Sequence, residues 1–209
     1  MTPALTLMQW LSPAFPVGAF AYSHGLEQAI KDGAITGADS LLDWLTALLE
    51  HGSGRADAVL LAVAYRAEDP VDVDATARAF AASAERLLET TQQGTAFCNT
   101  AQAVWGLKLG ALTYPVAVGA AAKAMNITLA DTLPLYLHAF ASNLVSATQR
   151  GLPLGQTDGQ RVLAKLAGTI TAVAQEAATS TLDDLTSATF AADIAAMRHE
   201  TLEPRIFRS

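Results

Sequence analysis

His24, His51, His138 and His199 are the only imidazoles in the chain. No two of them lie three or four residues apart, so no single helix offers two to one metal ion. His199-Glu200 begins like the zinc-protease motif, but the position that would close it holds Glu203 rather than His. No His-rich tract of the kind that stores metal ions occurs. No GxxxxGKS or GxxxxGKT sequence occurs, so the loop that cradles nucleotide phosphates is absent. Gly151-Leu-Pro-Leu-Gly155 has glycines without a following lysine and reads as a turn between helices. Ser23 and His24 are adjacent, and adjacent side chains on a helix do not face each other. A Ser–His–acid triad can be assembled from distant positions, so spacing leaves that chemistry open. Cys98 is the single cysteine, which excludes an internal disulfide and a thiolate zinc cluster; among helix formers it reads as a small core residue. These residues predict no catalytic centre, no cofactor and no metal site.

The elements that would hold such residues are helical throughout. From Asp39, a plausible N-cap, apolar residues fall at Leu41, Leu42, Leu45, Leu48 and Leu49, an amphipathic stripe that Gly52 should stop. Further helices are predicted over about Ala56–Ala67, over Asp74 to about Gln92 as one alanine-rich segment, and over Thr95–Leu109, the last either separate or a continuation. Leu129–Arg150, Gln160–Thr179 and, more weakly, Leu185–Met197 complete the set. Strand-like alternation of β-branched and polar residues is nearly absent. There is no repeat, low-complexity linker or change in composition to mark a boundary. The prediction is an all-α fold: one domain over residues 1–209, a compact bundle of about eight to ten helices, with 199–209 as a tail that frays unless tied down.

Composition agrees with that picture and narrows the partners. The 209 residues are 51% hydrophobic and only 16% charged, with a net charge of −7. Mean hydropathy is +0.27. The apolar runs Ala58–Tyr65 and Pro115–Met125 fall well short of the roughly 18 residues needed to span a bilayer. No basic stripe suggests nucleic acid. No basic, apolar and small-residue leader opens the chain, so the expected compartment is the cytoplasm. An apolar surface on such a chain is expected to meet other proteins.

Three segments stand out. Leu11–Glu27 carries two prolines and Gly18 in a fixed irregular turn before a helix capped by Ser23. Phe15, Phe20 and Tyr22 sit on that turn, either stapling the helix to the core or forming an aromatic platform for a partner. In Leu154–Gln160, Gln156 and Gln160 are four apart and share a helix face; they could bridge to a neighbouring backbone or simply be solvated. The chain ends Arg198-His-Glu-Thr-Leu-Glu-Pro-Arg-Ile-Phe-Arg-Ser209. Pro204 should end any helix, and Arg205, Ile206, Phe207 and Arg208 are residue types that anchor interfaces, if the tail is not simply disordered.

In this order and at these distances the segments resemble the UreF family of urease accessory proteins. The family opening, approximately LSP-x-LPVGGFSYSHGLE, matches LSPAFPVGAFAYSHGLE here. Leu154–Gln160 matches LGQ-x-x-GQ, and His199-Glu200 with Arg205–Ser209 matches the family's ending. Glu85–Gly94 and Pro115–Gly119 match two intervening stretches. Ala19 and Ala21 replace a family glycine and serine, Leu87 stands where arginine is common, and Leu202, Glu203 and Pro204 replace a more usual Gln-Tyr-Ser. The resemblance implies a non-catalytic, all-α homodimeric chaperone that binds UreD/UreH, recruits the GTPase UreG and so promotes nickel insertion into apo-urease. It further implies that Arg205, Ile206, Phe207 and Arg208, with His199 and Glu200, contact UreD/UreH. Phe15, Gly18, Phe20, Tyr22, Glu27, Gln156 and Gln160 are the expected dimer or partner surface. A rival expectation is a GTPase-activating or GTPase-gating role, with Gln156, Gln160 or Arg161 acting on the nucleotide bound to UreG.

Overall fold

Alanine-rich amphipathic segments fold as helices that can approach closely, and the computed structural model, which describes residues 2–208, is built almost entirely of them. Ten α-helices occur among the described residues: α1 Pro3–Trp10, α2 Leu26–Lys31, α3 Ala38–His51, α4 Ser53–Arg66, α5 Val71–Ala79, α6 Ala84–Trp105, α7 Tyr114–Ala124, α8 Leu129–Gly151, α9 Gln156–Ala177 and α10 Phe190–His199. Two 3₁₀ turns, Ala19–Ala21 and Leu182–Asp184, are the remaining regular structure, and the described residues contain no strand.

Helix α4 lies at the centre and packs on α3, α5, α7, α8 and α9. Its buried side are small or branched residues, Ala56, Ala58, Val59, Leu60, Leu61, Ala62 and Ala64. The closest approach is to α7, where a Cβ added at Gly119 would lie 2.3 Å from the Leu61 carbonyl oxygen. Glycine at 119 lets the two backbones meet. The long helices α6, α8 and α9 span about 33 Å each at 1.5 Å per residue and enclose this centre. One hydrophobic core runs from Leu7 and Trp10 through α3, α4 and α8 to Ala195.

Several boundaries differ from the sequence expectation, each for a local reason. The segment from Asp74 to Gln92 is two helices, not one. α5 stops at Ala79, and Ser83 restarts the chain by accepting the Arg86 N–H at 3.1 Å. Buried Asp74 also accepts the Thr113 N–H, which fixes α5 against the start of α7. Helix α3 is led not by an Asp39 cap but by Gly37, with Ser40 Oγ accepting the Gly37 and Thr36 N–H groups. α9 starts at Gln156, four residues earlier than expected, so the preceding turn is only 152–155. α2 starts at Leu26, although Ser23 Oγ still receives the Glu27 N–H at 3.4 Å.

Candidate interaction site

The proline-rich turn after α1 divides its aromatics between inside and outside. Phe15 is interior: its ring lies 5.6 Å from Phe97 and 6.3 Å from Trp105, and Trp10 meets Phe97 edge-on at 5.4 Å. Tyr22 is interior too, its hydroxyl donating to Gln92 Oε1 at 2.7 Å. Burial, and next the Glu89 carboxylate, push the Tyr22 phenol upward against the opposing pull of neighbouring Arg208. Phe20, by contrast, is 59% exposed. Gly18 turns the chain into the 3₁₀ segment that carries it. A partner reaching this surface meets Phe20, while Phe15 and Tyr22 staple the turn from below.

The next residues bind the turn to α10. His24 and Gly25 both have positive φ, 54° and 77°. A Cβ on Gly25 would lie 2.6 Å from the Ala196 N of α10, so glycine is required both by conformation and by contact. This close seat brings Glu27, half a turn on, under the C-terminal end of α10.

There the tail is fastened by two carboxylates. Glu27 accepts the Ile206 N–H at 2.7 Å and the Phe207 N–H at 2.9 Å, and faces His199 Nε2 at 3.1 Å. Glu85 faces His199 Nδ1 at 2.7 Å and accepts from Arg205 at 2.7 Å. His199 is fully buried, with a carboxylate at each ring nitrogen, so only the doubly protonated imidazolium donates to both. Burial opposes ionisation of Glu27, but the bonds from His199, Phe207 and Ile206 outweigh it and hold the carboxyl below its usual range. Glu200 accepts the Ala84 N–H at 2.9 Å, so it caps α6 beside Ser83. The His-Glu pair that resembles a protease motif therefore joins α10 to α2 and α6.

Beyond a cis Glu203–Pro204 bond, Arg208 N–H donates to the Ala21 carbonyl at 2.9 Å and Phe207 turns inward, 3% exposed. The Arg150 guanidinium stands 4.4 Å over the Phe207 ring and also donates to the Phe20 carbonyl. Ile206 points out, 65% exposed. The tail thus lies along the aromatic turn. Ser209, the last residue of the terminal motif, is outside the described residues.

A second polar group lies deeper. Arg86 pairs with Glu89 and approaches Asp57 at 3.9 Å; His24 Nε2 is 2.9 Å from Glu89 and 2.8 Å from Arg86. Tyr136 donates to Asp57 at 2.9 Å, and Gln93 to Glu89 at 2.8 Å. Burial disfavours the Glu89 charge, but Arg86 and then His24 more than compensate, taking its pKa down to about 2. Burial dominates at Asp57 and raises it despite Arg86 and His24. Arg86 was not singled out in the sequence: Glu89 lies three residues on along α6, but Asp57 comes from α4 and His24 from the turn before α2, and those two leave no local spacing signal.

Two small cavities, about 40 and 60 Å³, are both lined by His24, Asp57 and Arg86 of this group. His138 lines a different groove between α1 and α8, so the cavity holding His24 and its acids does not include it. No group of three or more His, Cys, Asp or Glu among the described residues is arranged to hold a metal ion. No helix among them is long and apolar enough to cross a membrane. Gln156 and Gln160 are exposed on the first turns of α9, and exposed Arg161 pairs with Asp158 at 2.7 Å. The structure brings Phe20, Tyr22, Glu27, His199 and residues 205–208 together and leaves the α9 glutamines apart from them.

Fold and site together define an all-α protein whose polar interior fastens its own C-terminus beside an exposed aromatic turn. The UreF family model matches residues 35–167. The chain is 57% identical over 208 residues to a Urease accessory protein UreF of Ruegeria sp. (strain TM1040), covering 98% of this chain and 97% of that one. It is 56% identical over 207 residues to the Roseobacter denitrificans protein of the same description, covering 98% and 93%. Identity to the one from Rhodopseudomonas palustris (strain BisB5) is 53% over 218 residues, covering 97% and 90%. The chain belongs to the UreF family.

Proposed function

We propose that this protein is a urease accessory factor: a single-domain, non-catalytic adaptor that binds UreD/UreH and helps recruit the GTPase UreG, so that nickel enters apo-urease. It works as a homodimer in the cytoplasm and holds no cofactor or metal of its own. The observation that supports this reading is the tail. A family-type ending is set on the body by Glu27 and Glu85, with Ile206 exposed. A few such anchors, rather than total area, govern affinity.

Co-purification with the cognate UreD/UreH protein, comparing the full chain with one ending at Pro204, tests the assignment. The full chain should form a stable complex, and the truncated one should lose it while staying helical and dimeric. Equal binding by both would remove the tail from the interface. Gln156, Gln160 and Arg161 are exposed, which suits the rival reading of a regulator that activates or gates UreG. Alanine at one of these would then abolish a large stimulation of GTP hydrolysis without weakening the complex.

A further inference from the structure

Two carboxylates serve both a buried histidine and the end of the chain. His199, the last residue of α10, is fully buried, with Glu85 of α6 at 2.7 Å from Nδ1 and Glu27 of α2 at 3.1 Å from Nε2. Glu27 also accepts the Ile206 and Phe207 N–H groups, and Glu85 also accepts from Arg205. The other charged groups beside them are directed elsewhere. Arg198 pairs with Asp32, Arg86 turns to Glu89, and Glu200 accepts the Ala84 N–H. Among the described residues, therefore, His199 and Arg205 are the cations that balance Glu27 and Glu85, and Glu27 has His199 alone.

With both ring nitrogens protonated, His199 donates to each carboxylate, and the group of two acids, His199 and Arg205 is neutral. Remove one proton and a ring lone pair faces a carboxylate oxygen at hydrogen-bond distance. A buried acceptor set against an anion costs free energy, and the anion has lost its cation. Glu85 keeps Arg205. Glu27 has a way out: its side chain is 12% exposed, so it relieves the repulsion by turning toward water. That movement takes from Ile206 and Phe207 the acceptor their N–H groups share. The geometry points to a proton-operated latch, in which the His199 imidazolium clamps Glu27 and Glu85 where they hold residues 205–207, and its deprotonation frees that segment while the helical body stays folded. The only bond that breaks is a ring N–H, and the proton passes to solvent. This goes beyond the adaptor reading and does not depend on it.

The test uses the full chain alone, scanned from about pH 5 to about pH 9. Nitrogen NMR of labelled histidine reads the protons on the His199 ring directly. Hydrogen exchange, corrected for the intrinsic pH dependence of the amides, reads the tail. Protection of the Ile206 and Phe207 amides should fall about tenfold or more as the ring loses its second proton, with the amides of α4 and α8 unchanged. His199→Gln can donate to one carboxylate at most, so its tail should be loose at every pH. Glu85→Gln separates a latch from mere packing. Its amide can donate to Nδ1 while Nε2–H donates to Glu27, so a neutral ring satisfies both sides and the tail should stay protected at high pH. A ring that carries a single proton throughout, or one that titrates without any change in tail protection, would overturn the latch. So would a Glu85→Gln tail that loosens with pH as the wild type does, or loss of protection in α4 and α8 together with the tail.

Discussion

Glu27 receives two backbone N–H groups and meets one ring nitrogen of a buried imidazole, and charge-assisted bonds of this kind contribute about 1.5–3 kcal/mol each. Glu27→Gln keeps the shape but removes the charge. Hydrogen exchange at the Ile206 and Phe207 amides should therefore accelerate about tenfold or more, while the helical core stays protected; unchanged exchange would show that the tail is held by Phe207 alone. Deeper in, Arg86→Met leaves Glu89 and Asp57 buried without their cation, at an expected cost of roughly 3–5 kcal/mol in chemical denaturation. The acid dependence follows from the same groups. Glu89, at about 2, and Glu27 ionise more readily folded than unfolded. They add stability above their usual carboxylate pKa and lose it as pH falls toward the folded value. Asp57, raised by burial, acts with the opposite sign. Denaturant midpoints should fall as pH drops from about 5 to about 2, the span between the usual and the folded Glu89 values, and Glu89→Gln should flatten that fall.

At the scale of elements, the interface between α10 and the start of α2 is the joint on which the tail depends. Gly25→Ala must move either its own backbone or that of Ala196, since the contact is backbone to backbone. A loss of about 3 kcal/mol or more is expected from thermal unfolding, well above an ordinary surface substitution. Ser83→Ala removes the cap that restarts the chain as α6, and should cost about 1 kcal/mol; Glu200, which accepts the Ala84 N–H, limits the damage. The division between α5 and α6 also shows where periodicity misleads. Alanine supports helix on every face, so the run from Asp74 to Gln92 carries no internal stop except Ser83, whose capping role depends on the chain turning there. The same logic concealed α7: Pro115–Met125 shows as an apolar run, and its helical register is set by α4 packed on it.

For the whole molecule, the adaptor reading predicts a particle of twice 21.8 kDa by sedimentation. It also predicts no stoichiometric nickel in equilibrium dialysis of the protein alone. Tight binding of one ion per chain would require a metal site that the His positions do not suggest, and would reopen the question of direct metal handling.

Much of this was legible in the chain itself. Helical periodicity, the lack of strand patterning and the apolar, alanine-rich composition determine an all-α fold, because these are local properties that each segment carries with it. The LSPAFPVGAFAYSHGLE opening and the RIFRS ending mark the family for the same reason. Tertiary structure alone decided which marked residues are inside. Phe15 and Phe20 are similar rings five residues apart, and Phe207 follows Ile206 directly, yet one of each pair is buried and the other exposed. That choice is made by Phe97, Trp105, Arg150 and Glu27, which arrive from elements dozens of residues away. His199 carries no local sign of its role either, because both of its carboxylate partners lie more than a hundred residues earlier. Burial and charge pairing are properties of the assembled neighbourhood, and no spacing along the chain encodes them.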